Sequence, residues 1–336
     1  MNFMQDIQLI FVFFILIVNF DKEKCCTMKP RVQTVLISGG TGLIGKALAY
    51  DLAGKGYRVH ILTRKPELFH NQKNIKYFGW DWKHKKIDEK ALENIDGFIH
   101  LAGANIAKKR WTEKYKAEIA GSRILSLRFI REKLREKNIR LKAFAGASAI
   151  GYYGCTTDDV VRYENHEPGT DFLSRLVISW EKESKFMKEV SDRVSVLRTG
   201  IVWSSNGGAL PKMIRPVFYN LAASPGSGQQ WINWIHIDDI VGIYRFVIEE
   251  GKSGIFNAVA PHPVKYDEFI RIAAGVLSKN CCFPNIPSWL IRLLYGEMAC
   301  LFLEGVPVSV QKLENAGYEF AYIHPARALR ELIKER

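Results

Sequence analysis

Long apolar runs are scarce in this 336-residue sequence. The longest, residues 7–20 (IQLIFVFFILIVNF), is shorter than the roughly 20 residues a helix needs to cross a bilayer. No Lys or Arg precedes it, which makes a poor secretory signal, and Lys22 and Lys24 follow instead. It reads as a short membrane anchor, an atypical targeting segment or an upstream extension; residues 1–27 are taken as an appendage to a fold that begins near Met28. Cysteine is sparse as well. Cys25, Cys26, Cys155, Cys281, Cys282 and Cys300 include two adjacent pairs and no C-x-x-C. That argues against a disulfide framework and a zinc site, and points to a reducing intracellular compartment, cytoplasm or organelle. G-x-S-x-G, H-E-x-x-H and a P-loop lysine are absent, so no metal site is expected. Acids are under-represented, 35 against 48 Lys and Arg, for a net charge of +13. Yet the basic residues alternate with acids along helix-like stretches such as 128–140, and only residues 83–86 and 108–110 cluster tightly. With no nucleic-acid motif, the charge reads as a solvated surface plus attraction for phosphorylated ligands.

What is present is a glycine-rich turn in a strongly patterned setting. Residues 34–38 form a buried-strand pattern, 43–53 an amphipathic helix and 57–62 a second apolar strand. Between the first two lies GGTGLIG, read as GxGxxG (Gly40, Gly42, Gly45) or GxxGxxG (Gly39, Gly42, Gly45). Strand, turn, helix and strand together make the dinucleotide-binding βαβ unit. Gly39 lets the chain turn sharply, Gly42 lets a diphosphate approach the backbone, and Gly45 lets the helix pack close on the sheet. Thr41, Leu43 and Ile44 complete the loop, whose amides face an anion at the positive end of the helix dipole.

The end of the second strand selects the cofactor. An acid there would hold the ribose 2′-hydroxyl of NAD. Here Thr63, Arg64 and Lys65 stand instead. A guanidinium suits the 2′-phosphate of NADP through paired charge-assisted bonds. NADP(H) is therefore the expected cofactor.

Further strands are expected at 75–78, 96–101, 142–147, 194–198 and 255–259, with helices at 113–137, 172–190 and 240–249 between them. Thr112 is placed to cap the first of these helices. The alternation argues an α/β fold, a doubly wound parallel sheet of Rossmann type. A smaller mixed lobe is expected from residues 206–233 and 261–336, with 28–205 and 234–260 in the nucleotide-binding domain. Leu101, Ala102, Gly103 and Asn105 follow the strand at 96–101 and bring a second small-residue turn to the cofactor. Glu181 and Lys185, four apart on a helix, are expected as a surface ion pair. His236, Asp238 and Asp239 invite a metal or triad reading, but a structural histidine beside an Asp helix cap is favoured. Trp231 and Trp234 are expected to pack between the lobes.

The stretches ISGGTGLIG, LTRKP, LAGANI, RWTEKYKAEIAGSR, SAIGYYG, LRTGIV and GSGQQWINWIHIDDI, with the tail from 286, resemble the extended short-chain dehydrogenase/reductases. More narrowly, they resemble NAD(P)-dependent epimerase family proteins that carry a C-terminal domain of unknown function. The resemblance spans residues 32 to about 333. It implies an NADP(H)-binding oxidoreductase or epimerase with a small polar substrate. Ordinary members use a Tyr and a Lys four residues later for proton transfer. No Tyr of this sequence has Lys at that spacing, and the corresponding helix reads FLSRLV from Phe172. Ser148, where the larger family has a Ser or Thr that hydrogen-bonds substrate, and Tyr152 or Tyr153, from the loop after it, are the substitute catalytic candidates. Arg198 is placed to meet substrate or a core acid, and Gln230 closes the substrate side. A cofactor-binding protein without turnover is the competing expectation. A homodimer and membrane contact through residues 7–20 are carried as partner expectations.

Overall fold

The computed structural model describes residues 32–280 and 284–334. The extension 1–27 and Cys25, Cys26, Cys281 and Cys282 lie outside the described residues.

The first eleven strands among the described residues are β1 (Thr34–Ser38), β2 (Arg58–Thr63), β3 (Ile75–Asp81), β4 (Lys86–Ile87), β5 (Gly97–His100), β6 (Ala143–Ala149), β7 (Val194–Thr199), β8 (Ile201–Trp203), β9 (Trp231–Ile232), β10 (Trp234–His236) and β11 (Gly254–Ala258). Eight of them form one sheet in the order β11-β7-β6-β5-β1-β2-β3-β4. Every pairing in it is parallel except β3 with β4. Strand order runs outward in both directions from β1, so a crevice opens beyond the carboxyl ends of β1 and β5, where such folds take ligands.

Alternation along β1 explains why its run of apolar residues is continuous. Val35 and Ile37 face one core with Leu48, Leu52, Ile243 and Val247. Leu36 faces the other, with Leu127, Ile130 and Leu134. A parallel strand covered on both faces has no solvent side and no polar period. The covering helices are α1 (Leu43–Gly54), α2 (Glu113–Glu136), α3 (Phe172–Lys185) and, after α4 (Leu210–Phe218), α5 (Ile237–Glu249). Thr112 caps α2 by accepting from the Tyr115 amide at 3.2 Å.

The smaller region has its own core. Trp203, Ile214, Trp234 and Phe269 pack with Ala328 and Leu329. Its further elements are strand β12 (Val264–Lys265) and helices α6 (Tyr266–Leu277), α7 (Ser288–Tyr295), α8 (Cys300–Leu303), α9 (Gln311–Asn315) and α10 (Pro325–Lys334). Trp234 stacks on Trp203 with centroids 4.4 Å apart.

Several boundaries differ from expectation, among them the end of α3 at Lys185 and of β3 at Asp81, and two of the differences bear on the site. β6 continues to Ala149, so Ser148 is a strand residue, registered against Arg198 of β7. α5 begins at Ile237, because the His236 ring caps it: Nδ1 accepts from the Asp238 amide at 3.2 Å. The expected Asp cap is thus a His. Asp239 instead takes the Ala321 and Tyr322 amides at 2.8 and 3.0 Å. His236 also stacks on Tyr322, 3.6 Å between centroids, which ties α5 to the C-terminal segment.

Candidate functional site

The turn after β1 is built from backbone with no room for side chains at two positions. Gly39 has φ +73° and lies against the backbone of Leu101 and Ala102, where a Cβ would come within 2.7 Å. A Cβ on Gly45 would sit 2.3 Å from the Gly39 carbonyl oxygen. The close approach at Gly45 is therefore to the helix's own preceding turn, where contact with the sheet was expected. Gly42 differs: it is exposed, it is the N-cap of α1, and its missing side chain faces little besides the Gly39 oxygen. Among the described residues no side chain caps this helix, and no acid stands in its first turn. The first free amides of α1 therefore look onto solvent at the positive end of the dipole. Thr41 is exposed beside them, and Leu43 and Ile44 are half-buried.

Two walls flank the turn. On one side β2 ends at Thr63, which is buried; its Oγ1 accepts from the Lys65 amide at 3.4 Å. Arg64 and Lys65 are exposed immediately beyond it. On the other side Leu101, Ala102, Gly103 and Asn105 follow β5, and the Leu101 amide donates to the Ser38 carbonyl at 3.0 Å. Helix α2 holds this second wall. Ser122 Oγ accepts from the Ala104 amide at 2.8 Å, Arg123 Nη1 donates to the Ala104 carbonyl at 3.1 Å, and the Tyr115 hydroxyl donates to the Asn105 carbonyl. Asn105 Oδ1 accepts from the Ala107 amide at 2.9 Å. From the smaller region, Gly208 approaches the Leu43 side chain.

His100, which carries no motif signal in the sequence, joins the walls from beneath. Its Nε2 donates to the Arg123 carbonyl at 3.2 Å, which assigns the tautomer and leaves Nδ1 to accept from Ser38 Oγ at 2.7 Å. Burial holds its pKa down at about 4. The folded value is below that of the unfolded chain, about 6.5, so the unfolded chain takes up this proton first on acidification. Stability present above pH ~6.5 is lost as the pH falls towards ~4, by about 3 kcal/mol in total. Unfolding free energies at pH 7 and 4.5 should fall more steeply for the native chain than for His100→Gln; parallel falls would contradict a neutral buried imidazole.

The catalytic and substrate candidates come together, but around a core acid. Glu181 is 3% exposed and accepts from Arg198 Nε at 2.8 Å, Arg198 Nη2 at 2.9 Å and Ser148 Oγ at 2.7 Å. The expected surface pair with Lys185 is replaced by a buried bidentate pair with Arg198, because Glu181 lies on the face of α3 turned to β6 and β7. Arg198 Nη1 also donates to the Tyr153 hydroxyl at 3.1 Å, and that hydroxyl donates to Asn257 Oδ1 at 2.7 Å. The Glu181 carboxylate holds the Arg198 pKa above its ordinary value against the pull of burial. Of the two roles weighed for Arg198, the core acid is the one its hydrogen bonds display. Tyr152 lies under the same guanidinium, 3.4 Å from ring centroid to Cζ, and is half-buried. Among the described residues its hydroxyl alone of the three candidates takes no protein hydrogen bond. Gln230 is 2% exposed; its Nε2 donates to the Pro225 and Phe302 carbonyls at 3.0 and 2.7 Å, so it ties a loop to the C-terminal segment.

At the positions of the missing Tyr and Lys, Leu173 and Val177 are buried, Leu173 packing with Trp111, Tyr115 and Met298. Trp231 reaches Asp159 through Nε1 at 2.8 Å. No cluster of metal-ligating side chains occurs among the described residues. Cys155 and Cys300 are free thiols, and the hydrogen bond between them, with burial, pushes the Cys155 pKa up. No described helix is long and apolar enough to cross a membrane.

The sequence pattern of the NAD dependent epimerase/dehydratase family matches residues 35–258, and that of a domain of unknown function, DUF1731, matches residues 286–332. An epimerase family protein of Staphylococcus aureus (strain NCTC 8325 / PS 47) is 37% identical over 313 residues, 90% of this chain and 100% of its own. Epimerase family protein YfhF of Bacillus subtilis (strain 168) is 33% identical over 305 residues, 90% of this chain and 99% of its own. The crystal structure of human epimerase family protein SDR39U1 (isoform 2) with NADPH has a TM-score of 0.79 at 28% identity, over 90% of this chain and 100% of that one. MoeE5 in complex with UDP-glucuronic acid and NAD shares the fold, with a TM-score of 0.72 at 17% identity, over 90% of this chain and 99% of that one.

Proposed function

The chain belongs to the NAD dependent epimerase/dehydratase family, and from that premise we propose that it binds NADP(H) in the crevice beyond β1 and β5 and works on a small polar substrate. One observation carries the cofactor: an uncapped helix start at an exposed glycine, with Arg64 standing free of any ion pair among the described residues at the end of β2. The amides of Leu43 and Ile44 suit a diphosphate, and the Arg64 fork suits a 2′-phosphate. The residues fit the group. When bound, the nicotinamide supplies hydride chemistry; the chain's own part is to bind, orient and manage a proton. Calorimetric titration should give NADPH an affinity at least about tenfold above NADH, and Arg64→Ala should lower only the NADPH value, by a similar factor. Equal affinities for the two in the native chain would remove the argument.

For the proton, Tyr152 is the group left available. The Ser148 and Tyr153 hydroxyls are already committed, whereas the Tyr152 hydroxyl is not. Having no protein partner among the described residues, it can donate to or accept from a substrate oxygen. The burial of Leu173 and Val177 supports a second reading, a nucleotide-binding protein without turnover. Incubation with NADPH and a panel of carbonyl compounds separates the two. Oxidation of NADPH that drops ~10²-fold or more in Tyr152→Phe supports acid–base work by this residue. Oxidation unchanged in the variant excludes it, and tight binding with no oxidation supports the second reading.

A further inference from the structure

Arg123 is the unexplained charge of the crevice. It projects from α2, half-buried, with its guanidinium 5.1 Å from the centroid of the Trp180 ring. Its Nη1 donates to two carbonyls, Ala104 and Ile119, each at 3.1 Å. It has no carboxylate partner among the described residues, unlike Arg198, which has Glu181 on two nitrogens. Burial lowers its pKa to about 10, so it remains a cation at neutral pH. Withdrawing a cation from water is costly unless a counter-charge returns the energy. Among the described residues the guanidinium has two carbonyls and the Trp180 ring, and no counter-charge.

Its position says where the counter-charge comes from. The guanidinium lies flat against exposed Gly103: a Cβ there would stand 2.9 Å from Arg123 Cζ and 3.1 Å from both terminal nitrogens. Gly103 follows directly on the Leu101–Ala102 backbone that touches Gly39 of the first turn. The two turns and the guanidinium are therefore successive surfaces of one crevice. The start of α1 offers partial positive charge from one side, and Arg123 offers a full charge from the other.

We propose that Arg123 is an anion-binding residue of this crevice that pairs with the diphosphate of the bound dinucleotide. This rests on the nucleotide reading above and adds a second, independent anion contact to it. It divides the labour of the two arginines. Arg64 distinguishes NADP(H) from NAD(H), whereas Arg123 serves the part both share. Gly103 is small because the guanidinium occupies the space a side chain would fill.

NADPH, NADH and ADP-ribose are titrated into the full chain and into Arg123→Met, Arg123→Lys and Gly103→Ala, with thermal midpoints recorded alongside. Arg123→Met should weaken all three ligands by the same factor, about tenfold to a hundredfold, and reduce the salt dependence of binding. Arg123→Lys should recover part of the loss. Gly103→Ala, which keeps the charge but displaces it, should weaken all three even if Arg123→Met fails to fold. NADPH and NADH affinities within about twofold of the native chain in folded Arg123→Met or Gly103→Ala overturn the proposal, as does an effect confined to the KM of a second substrate. If the native chain binds no dinucleotide, inorganic pyrophosphate decides. A midpoint raised in the native chain but not in Arg123→Met keeps the anion role and rejects only the nucleotide; no rise in either rejects both.

Discussion

Gly45→Ala should abolish measurable NADPH binding while leaving a folded sheet. The added methyl would stand 2.3 Å from the Gly39 oxygen and 2.7 Å from Gly40 Cα, both backbone atoms with no side-chain freedom to yield. Relief requires either the turn or the first turn of α1 to move. Gly39 cannot absorb the shift, because it is itself pressed on Leu101 and Ala102. The amides of Leu43 and Ile44 then no longer converge on one point, and converging donors are what distinguish an anion site from an ordinary helix end. Packing of β1 depends on residues such as Leu36 and Ile37 that lie before the turn, so the sheet has its own support. Loss of more than a hundredfold in affinity, with a far-ultraviolet spectrum like the native one, is the expected result. Native affinity in Gly45→Ala would mean that the nucleotide does not use this turn.

Glu181→Ala should be the most destabilising single change near the site. It strands Arg198, 1% exposed, without its carboxylate and removes the acceptor of Ser148. Breaking a buried pair in this way costs about 3–5 kcal/mol, since the remaining charge keeps its desolvation penalty. Replacing both partners together, Glu181→Leu with Arg198→Met, should cost distinctly less, because no charge is then left behind. Urea unfolding of the two variants measures the difference. A double variant as unstable as the single one would show that the hydrogen bonds to Tyr153 and Ser148, and not the charge, dominate. The same pair bears on function. It fixes Arg198 above Tyr152, so loosening it should also disturb whatever chemistry Tyr152 performs.

The fold was legible where local pattern and tertiary packing agree. β1, the glycine turn and α1 are signalled together by burial period, turn chemistry and length. Each is dictated within a few residues of itself. The mainly parallel, doubly wound character of the sheet follows from that unit and from the strand–helix alternation; the antiparallel edge strand β4 had no such signal. What escaped was set by partners far along the chain. Glu181 and Lys185 have the spacing of a surface pair, and only the approach of β7 turns Glu181 inward to Arg198. The sequence marks His236 as structural but not as the cap itself, since a ring nitrogen caps only when the strand before it aims it back at the helix. His100 and Arg123 carry no local signal. One is an ordinary strand-end residue and the other one basic residue among many on α2. Both acquire meaning because α2 crosses beneath the second turn.

The measurement that tests the account most directly is a crystal structure of the full chain with NADPH. The diphosphate is expected within hydrogen-bond distance of the Leu43 and Ile44 amides, with the Arg64 guanidinium on the 2′-phosphate. A crevice left empty at saturating NADPH, or a nucleotide bound with Arg64 turned away from its 2′-phosphate, would contradict it.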